Sequence, residues 1–148
     1  MLNQNVISKE EHSWWLDGLS RRKDSKFWVV FLNTVPVGTA YLQNINYETA
    51  TSEWGFYIGE DEYRGKGLGR QILFQLLEEV FNGMGLVILK TQVLSGNDAA
   101  IHLYRKFHFI EKKRFLSHDG RDVLLFEYTS QDWARTKEEL KAMCAVQH

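Results

Sequence analysis

Arg64, Lys66 and Arg70 are interleaved with Gly65, Gly67 and Gly69 in the stretch Tyr63-Arg-Gly-Lys-Gly-Leu68-Gly-Arg70. Cations among glycines can hold an anion: the charges attract it, and the glycine backbone can bend and approach it closely. Before the stretch comes Trp54-Gly-Phe-Tyr-Ile-Gly59, an apolar, aromatic run of strand length. After it, Ile72, Leu73, Leu76, Leu77 and Val80 recur at a helical period within Gln71 to Phe81. A strand that turns through glycines into a helix presents unpaired first-turn N–H groups and the positive end of the helix dipole. That is phosphate or pyrophosphate chemistry. A Walker A loop is excluded, because Gly65-Lys66 runs into Gly67 and Glu60 occupies the position of its first glycine. The glycine spacing also misses the G-x-G-x-x-G of dinucleotide sites.

A second chemically pointed stretch is Ser95-Gly-Asn-Asp-Ala-Ala-Ile-His-Leu-Tyr-Arg-Lys-Phe107. Asn97 opens a helix here. Asn97 and Tyr104 fall two helical turns apart on one face, while Ala100, Leu103 and Phe107 line another. The small Ala100 permits close packing on a sheet.

The elements that must hold these groups read as follows. Ser8-Lys-Glu-Glu11 is a capping box, so a helix is expected from Ser8 to about Leu19. Phe27–Leu32 and Val37–Asn44 read as a hairpin, and Ser52–Gly59 as a third strand. The glycines of Asn82-Gly-Met-Gly85 stop the helix that follows. Leu86–Val93 is a strand, Asn97 to Phe107 a helix, and Phe109–Leu116 with Val123–Tyr128 a closing hairpin around His118-Asp-Gly120. Gln131–Met143 is a polar helix expected to lie on the surface. Antiparallel hairpins flanking a strand–helix–strand crossover make a mixed α/β sheet.

Composition narrows the function. A chain of 148 residues with 44% hydrophobic and 14% aromatic residues has the size and content of one globular domain. A net charge of -1 argues against nucleic acid held by bulk electrostatics. Without a long apolar run or an export signal, no membrane partner is expected and the chain reads as cytoplasmic. The single cysteine, Cys144, excludes an internal disulfide, and it has no neighbouring histidine to make it a nucleophile. His12, His102, His108, His118 and His148 lack metal-ligand spacing. No metal is expected.

Arg64-x-x-Gly67-x-Gly69 resembles the [QR]-x-x-G-x-[GA] signature of GNAT-type N-acetyltransferases. Asn97-x-x-Ala100-x-x-Leu103-Tyr104 is similar to the segment after the fifth strand of that family. The resemblance runs from about Ile7 to Trp133. It implies a GNAT fold over residues 1–130, a mostly antiparallel sheet splayed at the third predicted strand and flanked by helices, with residues 131–148 as a surface tail. It implies acetyl-CoA as cosubstrate and transfer of the acetyl group to a primary amine. Arg64, Gly65, Lys66, Gly67, Leu68, Gly69 and Arg70 would hold the pyrophosphate. Backbone groups of Tyr57, Ile58 and Gly59 would pair with the pantetheine arm, and Asn97 would contact the coenzyme. Tyr104 would sit near the sulfur, where a phenol with a pKa of about 10 suits proton donation to a departing thiolate.

The resemblance also puts a general base on the third strand, at Glu53; Glu60, His102 and a water-relayed base are the other choices. Where the family commonly has glycine, this chain has His108, a residue that tolerates a left-handed turn; it is assigned no catalytic part. Asn5–His12 and Trp54–Ile58 resemble the branch that contains the amino-sugar-nucleotide N-acetyltransferases of pseudaminic acid biosynthesis and the ribosomal-protein N-terminal acetyltransferases; Ala100-Ile-His-Leu-Tyr104, the Asp122-Val-Leu-Leu125 ending and the short N-terminal region favour the first, with the second as the alternative. The 4-amino group of a UDP-amino sugar is then the acceptor, with Trp14, Trp15, Trp28, Tyr41 and Trp54 offering aromatic surface to stack on it or to build core. A non-catalytic acyl-CoA-binding module and a nucleotide-binding regulator are the competing readings. Only Met1–Gln4 precede Asn5, so the family's first strand is expected to be missing. The open edge would then invite a second copy to pair.

Overall fold

The computed structural model describes residues 7–8, 13–22, 24–32, 34–58 and 68–145, with side chains over 24–31, 34–57 and 69–144. The strands are β1 (Ile7–Ser8), β2 (Ser13–Arg22), β3 (Ser25–Leu32), β4 (Val35–Asn46), β5 (Thr51–Ile58), β6 (Ile88–Leu94), β7 (Ile110–Leu116) and β8 (Asp122–Thr129). They form one sheet in the order β1-β2-β3-β4-β5-β6-β8-β7. Among the described residues only β5 and β6 run parallel; the other neighbours are antiparallel. The helices are α1 (Leu68–Leu77), α2 (Asp98–Lys106) and α3 (Ser130–Ala145). This is the mixed, mostly antiparallel sheet that the sequence implies.

The N-terminal expectation is overturned. The segment read as a helix from Ser8 to Leu19 carries β1 and β2, and β2 pairs with β3 from Trp14↔Leu32 to Arg22↔Ser25. A capping box stabilises a helix start by only about 1 kcal/mol. Against it stand Gly18, which costs a helix about as much, and the row of backbone groups that β3 would otherwise leave unpaired. Pairing satisfies most of that row, with a shift in register between Leu19 and Arg22. The outer edge of β3 is therefore covered, not open, and the expected missing strand is corrected with it.

Alternation along the strands divides the sheet into two faces. Trp28, Val30, Ala40, Leu42, Trp54, Leu89, Val93, Phe126 and Tyr128 are buried on one of them. Ile72, Leu73, Leu76 and Leu77 of α1, Tyr104 of α2, and Trp133 and Leu140 of α3 join the same core. All three helices thus pack on this face. The alternate positions include Phe27, Tyr41, Glu53, Gly55, Tyr57 and Lys90, all half-buried or exposed.

α1 ends in a widened, π-helical turn over Glu78–Gly83, in which the Met84 N–H donates to the Glu79 carbonyl at 2.8 Å. Gly85 then turns the chain with φ of 72°, the expected glycine stop. α3 is not a surface tail. Trp133, Thr136, Leu140 and Cys144 form a buried stripe along it, and Trp133 packs edge-on against Phe74 of α1 with ring centroids 5.1 Å apart. Its entry is a reciprocal cap: the Asp132 N–H donates to Thr129 Oγ1, and the Thr129 N–H to Asp132 Oδ2, each at 3.1 Å. At the end of α2, His108 adopts φ of 72°, the left-handed turn expected of it, and its Nε2 lies 2.9 Å from Glu139 Oε2 on α3.

Candidate active site

The parallel pairing of β5 with β6 is short, covering Thr51↔Ile88, Ser52↔Leu89 and Glu53↔Lys90. Beyond that rung β5 continues to Ile58 against β4 alone, and β6 to Leu94 against β8 alone. The sheet splays where the sequence places its third strand. One side chain marks the fork: Thr91, 2% exposed, donates from Oγ1 to the Trp54 carbonyl at 3.0 Å. A backbone acceptor that could have continued the ladder is satisfied by a hydroxyl instead, and the strands are free to part.

A cleft of about 620 Å³ opens between them. β5 lines it with Gly55, Phe56 and Tyr57, and β6 with Thr91 to Leu94. Gly69 and Arg70 of α1, Asn97 at the start of α2, Ala100, His102 and Tyr104 of α2, and Tyr41 of β4 complete most of the wall. Gly69 and Arg70 in the first turn of α1 and Asn97 at the start of α2 thus face one cleft.

Asn97 caps α2, its Oδ1 accepting from the Ala100 N–H at 3.2 Å. Tyr104 lies 3% exposed against Trp54, Phe109 and Phe126. Burial pushes its phenol far above the ordinary value, hydrogen bonding to Thr91 works the other way, and the nearby Tyr41 phenol adds to the rise. Such a phenol stays protonated. It is better suited to donating a hydrogen bond to developing negative charge than to surrendering its proton outright.

The other predicted residues fall in several places. Tyr57 and Arg70 line the cleft, and Leu68 begins α1. Ile58 ends β5. Gly59, Glu60, Arg64, Gly65, Lys66 and Gly67 lie outside the described residues, as do the side chains of Trp14 and Trp15. Trp28 and Trp54 are core, 1% and 3% exposed. Glu53 does not line the cleft: it sits on the last shared rung, half-buried, and accepts from Asn44 Nδ2 at 3.3 Å. Cys144 is buried at the Arg70 carbonyl, 3.6 Å away, a core position instead of the surface one expected.

Thr91 was not visible as a site residue, although a polar residue at a buried parity of an apolar strand is a signal. Tyr41, named only as aromatic surface, takes a specific place. It is the cross-strand partner of Gly55, and a Cβ on Gly55 would stand 2.4 Å from its Oη. The ring lies over a position that only glycine leaves open.

A splayed strand pair, a cleft between its arms and a helix entering at the mouth make a family assignment testable. The profile of the Acetyltransferase (GNAT) family matches residues 3–109. The chain belongs to the GNAT family. It is 27% identical over 108 residues to Acetyltransferase PseH of Campylobacter jejuni subsp. jejuni serotype O:23/36, a match covering 73% of this chain and 66% of that protein. A shorter match, 41% identical over 59 residues, is to the L-methionine sulfoximine/L-methionine sulfone acetyltransferase of Pseudomonas aeruginosa, covering 40% of this chain and 33% of that one. The chain thus spans less than two thirds of the curated relatives it matches. Among solved structures, a spermidine N-acetyltransferase SpeG chimera from Vibrio cholerae and hSSAT superposes with a TM-score of 0.71 at 23% identity, covering 76% of this chain and 70% of that chain. That likeness is one of fold.

Proposed function

We propose that the protein is an acetyl-CoA-dependent N-acetyltransferase acting on a primary amine of a small molecule. The observation that carries this reading is the fork at Thr91 and Trp54, which opens strand edges beside Tyr104. An extended amide chain such as pantetheine fits a cleft of this form, pairing with backbone groups of Gly55–Tyr57 where β6 has withdrawn. Arg70 and Asn97 at the mouth supply a cation and an amide to the coenzyme's polar end. When bound, acetyl-CoA supplies an activated acyl carbon.

A carbon–nitrogen bond forms as the carbon–sulfur bond breaks. The amine's proton passes to a base, and the sulfur departs with its charge hydrogen-bonded by Tyr104. Glu53 is the base on this reading, reached through a water because its carboxylate lies one rung behind the cleft. His102 is the second reading, because it lines the cleft. The finer acceptor assignment, the 4-amino group of a UDP-linked amino sugar, is supported by the resemblance of Ala100–Tyr104 and the Asp122-Val-Leu-Leu125 ending to enzymes with that substrate, and by the similarity to Acetyltransferase PseH.

The test is release of free thiol from acetyl-CoA with a UDP-amino sugar, spermidine, L-methionine sulfone and a peptide with a free N-terminus. Tyr104→Phe is expected to lower kcat by about 10²-fold with little change in coenzyme KM, the size expected for one positioned hydrogen-bond donor to developing charge. Glu53→Gln is expected to lower kcat/KM by about 10²–10⁴-fold. If instead His102→Ala produces that loss and Glu53→Gln does not, the base is His102. Coenzyme binding without turnover on any acceptor refutes the catalytic reading.

A further inference from the structure

Tyr41 and Tyr104 both reach the same cleft, from opposite sides of the sheet. Tyr104 belongs to the helix-covered face, with Trp54 and Phe126. Tyr41 belongs to the other face: it is out of phase with the buried Ala40 and Leu42 and pairs across to Gly55. Gly55 in turn alternates with Trp54 and Phe56. A half-buried phenol lying over a glycine needs a reason to be there, since a phenylalanine would fill the same space.

Its hydroxyl makes no hydrogen bond among the described residues. It lies close enough to Tyr104 for the two phenols to interact electrostatically. Glu53 is on the same face as Tyr41, one strand period before Gly55. The coenzyme-facing groups, Arg70 and Asn97, come from helices on the opposite face.

Resting on the reading of the chain as an N-acetyltransferase, we propose that Tyr41 is a positioning residue for the acceptor, its Oη accepting a hydrogen bond from the acceptor's amine N–H on the face away from the helices. An oxygen fixed over Gly55 leaves the nitrogen lone pair directed into the fork, where the acyl carbon must lie between Tyr41 and Tyr104. The phenol makes and breaks no covalent bond. The ligand class it selects is a primary amine, whose two N–H groups can serve Tyr41 and the base at once; a secondary amine, with one N–H, cannot serve both. Gly55 is the second half of the device, because any Cβ there displaces the ring.

The experiment is steady-state kinetics on whichever of the four acceptors the parent turns over, with CoA affinity measured separately by calorimetry. Tyr41→Phe is expected to raise acceptor KM about 10-fold, with kcat lowered by less and the Kd for CoA within about twofold of the parent, a modest hydrogen-bond effect. Gly55→Ala should reproduce that acceptor KM, and adding it to Tyr41→Phe should cost little more, as coupled sites do. An unchanged acceptor KM in Tyr41→Phe overturns the inference while leaving the acetyltransferase reading intact. So does a loss that falls on CoA affinity instead. If the parent turns over no acceptor, the underlying reading fails and this one falls with it.

Discussion

Thr91→Val isolates the hydroxyl that ends the β5–β6 ladder. Valine keeps the shape and the buried position, so cavity formation is not at issue; what disappears is the donor to the Trp54 carbonyl at 3.0 Å and the hydroxyl that the Tyr104 phenol meets. A buried acceptor stripped of its partner costs about 1–3 kcal/mol. For a domain of this size each kcal/mol lowers Tm by roughly 2–4 °C, so the expected fall is about 2–12 °C by calorimetry. Thr91→Ser, which keeps the hydroxyl, should recover much of the loss. The carbonyl's other recourse is a backbone N–H of β6. Pairing there would extend the parallel ladder past Glu53↔Lys90 and narrow the cleft, so CoA affinity should fall about tenfold in Thr91→Val and not in Thr91→Ser. A Thr91→Val protein as stable as its parent, binding CoA equally well, would refute the idea that this hydrogen bond sets the fork.

Alkaline stability should follow the buried phenols. Burial holds Tyr104 far above its ordinary value and pushes Tyr128 up to about 12. In the unfolded chain both ionise near pH 10, so below that neither state loses a proton and stability is full. Above it only the unfolded chain ionises. Stability then declines as pH rises, by about 1.4 kcal/mol per pH unit from Tyr104. Urea midpoints between pH 8 and 11 should show this, with a shallower slope in Tyr104→Phe. Leu140→Ala should cost about 2–5 kcal/mol in chemical denaturation, because Leu140 is fully buried; a change below 1 kcal/mol would return α3 to the surface. His108→Val should cost about 1–2 kcal/mol, because a β-branched residue is poorly accommodated at φ of 72°, whereas His108→Gly should be nearly neutral.

The elements legible in the sequence are those in which local signals and long-range packing agree. Asn97 caps α2, Gly85 stops the helix before β6, and His108 takes the left-handed turn, each a backbone requirement written in one residue. The N-terminal segment misled because its capping box is local and its competitor is not: the gain from pairing Trp14 through Leu19 with β3 depends on residues further along the chain. α3 misled for another reason. Counting its polar residues hid the spacing of Trp133, Thr136, Leu140 and Cys144, which is a helical stripe. The reciprocal cap of Thr129 and Asp132 was equally present as a pattern.

The site divides in the same way. Tyr104 and Asn97 both line the cleft, and spacing brings them together because one helix positions both. Thr91 and Tyr41 act across strands, on Trp54 and over Gly55, and that pairing depends on register. A one-residue slip in β4 would turn Tyr41 to the opposite face and put Ala40 or Leu42 against Gly55. Gly55 therefore carries more of the site than its size suggests. It is the position at which a strand can be approached by a phenol from one face while its own neighbours, Trp54 and Phe56, pack against helices on the other. The proposed acetyl transfer suits that geometry, because the amine must approach the thioester carbonyl carbon from a direction the coenzyme leaves free. The fork at Thr91 opens the sheet along its plane, and the glycine opens it through its thickness.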